Sequence, residues 1–307
     1  MAGTDIASWA WIPIVVWAAF AQTIRNAAQR SLVNDMGTLG ATLVRFLYGL
    51  PFAGLWLWLV LAFVAPQAQM PEVQLPYLLW LALGALSQLA ATACLLVAMK
   101  QRNFIVGVAF SKTEILQVSI FATLMLQEIP TWMSGLAMLL ATGGVILLSL
   151  PRRLDGKMLQ GSSSAAWFGL ASGALFALSG VGYRGAALEL TGHSAWVIGG
   201  FNVLLAQLMQ SVLLGAWLAW RQPGVMAAIA KAWKLSLLAG MTGALASIGW
   251  LTALALHSVV DVRTVGLVEV LFSYLVSRRL FREKISRNEL LGLLLVGAGV
   301  LVVTAQF

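Results

Sequence analysis

Charge is scarce in this chain. Only 10% of its 307 residues are Asp, Glu, Lys or Arg, against 60% that are hydrophobic. A soluble domain carries about 25% charged residues, so this composition excludes a water-facing surface and points to a bilayer. Cysteine is almost absent. Cys94 stands alone, which excludes an intrachain disulfide and any C-x-x-C metal or redox site. The HExxH and GxSxG motifs, a Walker A loop and a clustered His/Asp/Cys ligand set are all missing. That argues against an intramembrane enzyme, against ATP coupling within this chain, and against a bound metal or cofactor. The first apolar run has no basic n-region, only Asp5 before it, so no cleaved leader is expected. The net charge of +8 does not indicate nucleic acid, because the basic residues fall in short clusters between apolar runs, the pattern of membrane topology.

What the chain has in quantity is apolar length. A spanning helix needs about 20 residues, and ten runs qualify: 9–29, 38–64, 75–99, 103–126, 132–150, 165–188, 194–220, 233–256, 259–281 and 287–306. Turn residues separate them: NDMG (34–37), PQAQMPEVQ (66–74), QEIPT (127–131), QGSSS (160–164) and RQPG (221–224). The expected fold is an all-α polytopic membrane protein of ten transmembrane helices. Pro51 is expected to kink the second of them.

The two halves match. A shift of 155 residues sets Glu114 on Glu269, Glu128 on Glu283 and Gly144 on Gly299 without a gap. A shift of 159 sets Arg25-Ala27-Ala28 on Arg184-Ala186-Ala187. Acids are rare here, so glutamate matches carry more weight than leucine matches. The division is 1–150 and 151–307, two five-helix repeats. An odd helix number per repeat turns the second copy upside down, and inverted repeats mark secondary transporters.

The ten spans, the aromatics of the first helix (Trp17, Phe20) and the segments Glu114–Glu128 and Glu269–Glu283 resemble the EamA-type family of the drug/metabolite transporter superfamily. The resemblance covers nearly the whole chain. Family members usually carry Glu-Pro in the fourth and ninth helices and Gly-Glu after each. Here Ile115 and Val270 replace the prolines, and Gln127 and Arg282 the glycines. The resemblance implies metabolite transport by alternating access, around a central cavity lined by helices 1–4 and 6–9.

Fourteen of the 19 Lys and Arg lie in or beside loops that follow odd-numbered runs. By the positive-inside rule those loops are cytoplasmic and both termini face outward, whereas the resemblance implies termini inside. Five cations fall within spans: Arg25, Arg45, Lys112, Arg184 and Arg263, with the acids Glu114, Asp261 and Glu269. Each costs at least ~2.5 kcal/mol at mid-bilayer, so they are expected to face the interior. At ~1.5 Å per residue, Glu114 and Glu269 fall near mid-depth, with cations towards both faces. Arg25, Arg45, Lys112, Arg184 and Arg263, with Trp17, Phe20 and Tyr183, are the candidate substrate residues. Glu114 and Glu269 are the candidate coupling carboxylates. Other readings stay open: an arginine near a helix end can snorkel to headgroups, Glu114 can pair structurally with Arg45 or Lys112, and Asp261 reads as a solvated helix start. Glu128 and Glu283 read as helix-end residues.

The expected function is a secondary transporter of a small organic solute in a bacterial-type cytoplasmic membrane. Five internal cations against three acids predict an anionic group on that solute, such as the carboxylate of an amino acid. The aromatics suit an amphipathic body. Proton loading of a midplane carboxylate is compatible with this. The alternative within transport is efflux of lipophilic or quaternary-ammonium cations, and a channel is the further alternative. The expected partners are the solute and the bilayer, with the chain a monomer or homodimer.

Overall fold

In hydrocarbon an unpaired backbone N–H or C=O is costly, so a chain this apolar satisfies its backbone within helices. The computed structural model describes residues 8–100, 113–149, 163–281 and 287–307; these are largely helical, with no strand among them. Their order is α1 (Trp11–Leu47), α2 (Leu50–Leu59, continued by one π-turn at Val60–Val64), α3 (Leu75–Lys100), α4 (Glu114–Leu126), α5 (Trp132–Ser149), α6 (Ser163–Glu189) and α7 (Ala195–Arg221). There follow α8 (Pro223–Lys231), α9 (Trp233–Leu256), α10 (Val259–Gly266), α11 (Val268–Phe281) and α12 (Arg287–Thr304). By length and composition six stretches can cross a membrane: Ser31–Val64, Leu75–Leu95, Ala166–Glu189, Ala195–Arg221, Trp233–Leu256 and Arg287–Thr304. The protein is a helical, polytopic membrane protein.

The other expected spans differ from plain helices for visible reasons. The first two runs meet without a loop, because α1 continues through the NDMG segment and bends at Gly37, whose φ of 69° and ψ of 176° suit glycine. The second run is interrupted at Tyr48–Gly49, and Pro51 stands in the first turn of α2, where its missing N–H costs nothing. The sequence predicts a kink at that proline; the structure has a break two residues before it. Residues 103–112 of the fourth run lie outside the described residues, leaving α4 at 13 residues. The ninth run is broken at Leu267 into α10 and α11.

The described chain forms two compact units, one of residues 1–85 and 182–257, the other of residues 86–181 and 258–307. This is a different division from the sequence repeat, since each unit draws on both halves.

In the first unit α9 supplies a seam of small residues, as expected where no hydrophobic force drives helices together in lipid. Gly249 receives Ala18 of the first arm of α1, Gly240 receives Tyr48 at the end of the second, and Gly243 stands between the arms. Gln29 Nε2 donates to the Ala41 carbonyl across the bend, 2.7 Å away. Leu32, Met36, Leu43 and Val44 of α1 form a buried cluster with Leu218 of α7, Ile229 of α8 and Ala239 of α9.

In the second unit α5 and α12 pack through glycines. A Cβ on Gly144 would come within 2.6 Å of the Gly292 carbonyl oxygen and 2.8 Å of the Val296 nitrogen. One on Gly299 would come within 2.6 Å of the Ala137 oxygen and 2.9 Å of the Ala141 nitrogen. The shift of 155 residues carries Ala137 onto Gly292, Ala141 onto Val296 and Gly144 onto Gly299. The two contacts are therefore the same contact seen from either helix. Residue 144 meets 292 while 137 meets 299, so the helices run antiparallel.

Candidate functional site

The buried polar groups of the first unit gather between α1, α7, α9 and the end of α6. Arg25 is 6% exposed. Its Nη2 donates to Asn26 Oδ1 at 2.7 Å and its Nε to the same oxygen at 3.3 Å. Arg45 is half-buried, with its guanidinium carbon 4.5 Å from the centre of the Phe46 ring. Both arginines lie against Gly243: a Cβ there would be 3.3 Å from Arg25 Cδ and 3.5 Å from Arg45 Cβ. The two cations, brought together by the bend in α1, repel one another. Among the described residues no carboxylate pairs with Arg45. The described acids of this unit, Asp35, Glu72 and Glu189, are all exposed.

Tyr183 is buried and close enough to Arg45 to act on it electrostatically. Its hydroxyl accepts from Gln210 Nε2 at 3.2 Å, and the same nitrogen donates to the Ala85 carbonyl at 3.2 Å. Gln210 belongs to a polar stripe on α7, with Asn202, Gln207 and Ser211 all buried. Tyr77 Oη donates to Asn202 Oδ1 at 2.9 Å, a bond of a kind that averages ~0.6 kcal/mol within a membrane. Gln207 packs against Gly49 at the helix break, and its buried Oε1 has no donor among the described residues. Sequence reasoning missed this stripe because it tracked charges and aromatics and passed over neutral amides. The signal was available: three amides and a serine at helical spacing in an otherwise apolar run.

The other expected site residues are placed differently. Trp17 and Phe20 have adjacent rings, 6.1 Å between centroids, but are 51% and 44% exposed on the side of α1 opposite Ala18. Arg25 lies on the buried side. Arg184 is a helix cap: its Nη1 donates to the Leu254 carbonyl at 2.7 Å and to that of Ala255 at 3.3 Å. These belong to the last turn of α9, where a cation offsets the negative end of the dipole. Arg25 and Arg184 match in sequence yet have unlike surroundings. Lys112 lies outside the described residues.

In the second unit Glu114 pairs with Arg263, with Nη1 to Oε1 at 3.4 Å and each side chain about one-fifth exposed (22% and 21%). A structural ion pair is one of the open readings of Glu114; its described partner is Arg263, with Lys112 outside the described residues. Each charge suits its own helix, since Glu114 opens α4 and Arg263 lies in the last turn of α10. Gly180 makes room for the arginine; a Cβ there would be 3.2 Å from Arg263 Nε. Glu269 stands in the first turn of α11. Both glutamates thus begin a helix.

At the other end of α10, Glu128 Oε2 accepts the Val259 N–H at 3.2 Å. Ser258 caps α10: its Oγ accepts the Asp261 N–H at 3.3 Å and donates to Asp261 Oδ2 at 3.0 Å. Asp261 opens a helix as expected but is 7% exposed rather than solvated. Removing one partner of the Glu114–Arg263 pair leaves the other charge uncompensated, so the two single losses should not add. Glu114→Gln and Arg263→Gln are each expected to lower stability by about 1–2 kcal/mol, discounted for exposure. The double variant should fall short of their sum by about 1 kcal/mol; strict additivity in thermal unfolding would show that the pair is not coupled.

The chain aligns with a protein of known crystal structure at a TM-score of 0.66, covering 97% of this chain and 94% of that one at 15% identity. It is among 27 chains of solved structure that match. No family model and no curated protein matches the sequence.

Proposed function

We propose that this protein is a secondary transporter of the EamA type, built as ten spans in two inverted repeats, that moves a small carboxylate-bearing metabolite across a cytoplasmic membrane by alternating access. The observation that carries the substrate class is the arginine pair. Arg25 and Arg45 meet at Gly243 inside an apolar helix bundle, and no described carboxylate neutralises Arg45. Two adjacent cations in a low-dielectric setting favour a bound anion, and a guanidinium presents paired N–H donors to a carboxylate. Tyr183 and Gln210 add neutral polar groups beside them.

The repeat reading is supported by the antiparallel α5–α12 contact, which maps onto itself under the sequence shift. Alternating access belongs to the same reading, because inverted repeats are a feature of secondary transporters. Glu114 is held by Arg263, which counts against its acting as the free receptor of a lipophilic cation.

The test is a ligand-induced thermal-shift screen on detergent-purified protein, with amino acids, mono- and dicarboxylates and quaternary ammonium compounds. Carboxylates should stabilise the wild type. Stabilisation by cations alone, lost in Glu114→Gln, would replace this reading with cation efflux.

A further inference from the structure

The segment from Trp217 to Lys234 is not used by the proposed transport site, yet its composition is unusual for the chain. Between Glu189 and Asp261 there is no acid at all, and Arg221, Lys231 and Lys234 are all exposed. Each end of the segment holds a cation over an indole. The Arg221 guanidinium is 4.3 Å from the Trp220 ring and the Lys234 ammonium 5.7 Å from the Trp233 ring. Both rings are themselves exposed, Trp220 by 72% and Trp233 by 52%.

Between these pairs lies α8, amphipathic and nine residues long. Ile229 is buried in the first unit's core cluster, with Val225, Met226 and Ala228 packed against it. Pro223, Gly224, Ala227, Ala230 and Lys231 are exposed. A short helix with one apolar face seated on the protein, ringed by indoles and cations, has the make-up of an interfacial element. Indoles settle at headgroup depth, and cations at that depth attract anionic lipid. Asp35, exposed in the neighbouring 34–37 segment that packs beside α8 through Met36, is the one described acid near this rim, so the local balance stays positive.

We infer that the Trp220–Lys234 segment is a binding site for the headgroup of an anionic phospholipid, with Arg221, Lys231 and Lys234 taking the phosphate charge and Trp220 and Trp233 fixing the depth.

The experiment is native mass spectrometry of the full chain with phosphatidylglycerol and phosphatidylcholine of identical acyl chains, so that only headgroup charge differs. Wild type should retain the anionic lipid over the neutral one by about tenfold or more, as three interfacial cations would give. In Arg221→Gln/Lys231→Gln/Lys234→Gln that ratio should fall close to one, in protein that stays monodisperse. Arg287→Gln removes an exposed cation at the start of α12 and should leave the ratio unchanged. Equal retention of both lipids by wild type, or an equal loss in Arg287→Gln, would overturn the site. Should the triple variant fail to purify, Trp220→Leu/Trp233→Leu tests the same rim, and an unchanged ratio there overturns the indole role.

Discussion

Replacing Arg45 by glutamine is expected to weaken binding of a carboxylate solute by roughly 30- to 150-fold, the effect of removing one partner of a desolvated charge pair worth about 2–3 kcal/mol. The low end of the usual range applies because Arg45 is half-buried. Glutamine keeps an N–H donor but is two bonds shorter and loses the charge. Arg184→Gln supplies the contrast. Its guanidinium caps the last turn of α9, so its loss should lower the melting temperature, by about 1 kcal/mol of stability, and leave ligand preference unchanged. Titration calorimetry on both variants separates the two roles. Equal affinity losses would mean that Arg184 also touches the solute.

The largest stability effects are expected at Gly144 and Gly299. An added methyl at either meets backbone of the opposite helix below 3 Å, and backbone cannot move aside as a side chain does. Gly144→Ala and Gly299→Ala are each expected to cost about 3 kcal/mol, at the upper end for overpacking. Neighbouring glycines provide internal controls, since a Cβ at Gly143 or at Gly297 meets nothing within 4 Å. Gly143→Ala and Gly297→Ala should therefore stay within about 1 kcal/mol of wild type, on the favourable side. Thermal unfolding of the four variants tests this, and a Gly143→Ala loss as large as that of Gly144→Ala would contradict the α5–α12 seam.

Several of these features were readable in the residues. The recurrence of Gly144 at Gly299 appeared in the sequence shift and returns as a reciprocal helix contact. Glu128 read as a helix-end residue, and it receives the first N–H of α10. Gly37 stood in a turn-forming tetrapeptide and bends α1. Other features were not readable because they depend on distant partners. Glu114 and Arg263 meet across an intervening stretch of half the chain, and no spacing rule pairs them. Arg25 and Arg184 share a local pattern, R-x-A-A, but a guanidinium's role follows from what lies within its reach. Arg184 finds the end of α9, whereas Arg25 lies beside Arg45 only because α1 folds back at Gly37. The amides of α7 were visible and overlooked, since an uncharged polar residue carries less of a signal in a hydropathy count than a charged one.

Solute counterflow in sealed proteoliposomes tests the central claim most directly. Vesicles are loaded with unlabelled carboxylate, the best stabiliser from the thermal screen, and diluted into a trace of labelled solute. A carrier that alternates its access exchanges one for the other, so the label should accumulate transiently above its equilibrium level without ATP, and Arg45→Gln should abolish that overshoot. Label that rises to equilibrium with no overshoot would be the behaviour of a channel. Label that never enters, for every carboxylate in the screen, would contradict the anionic substrate.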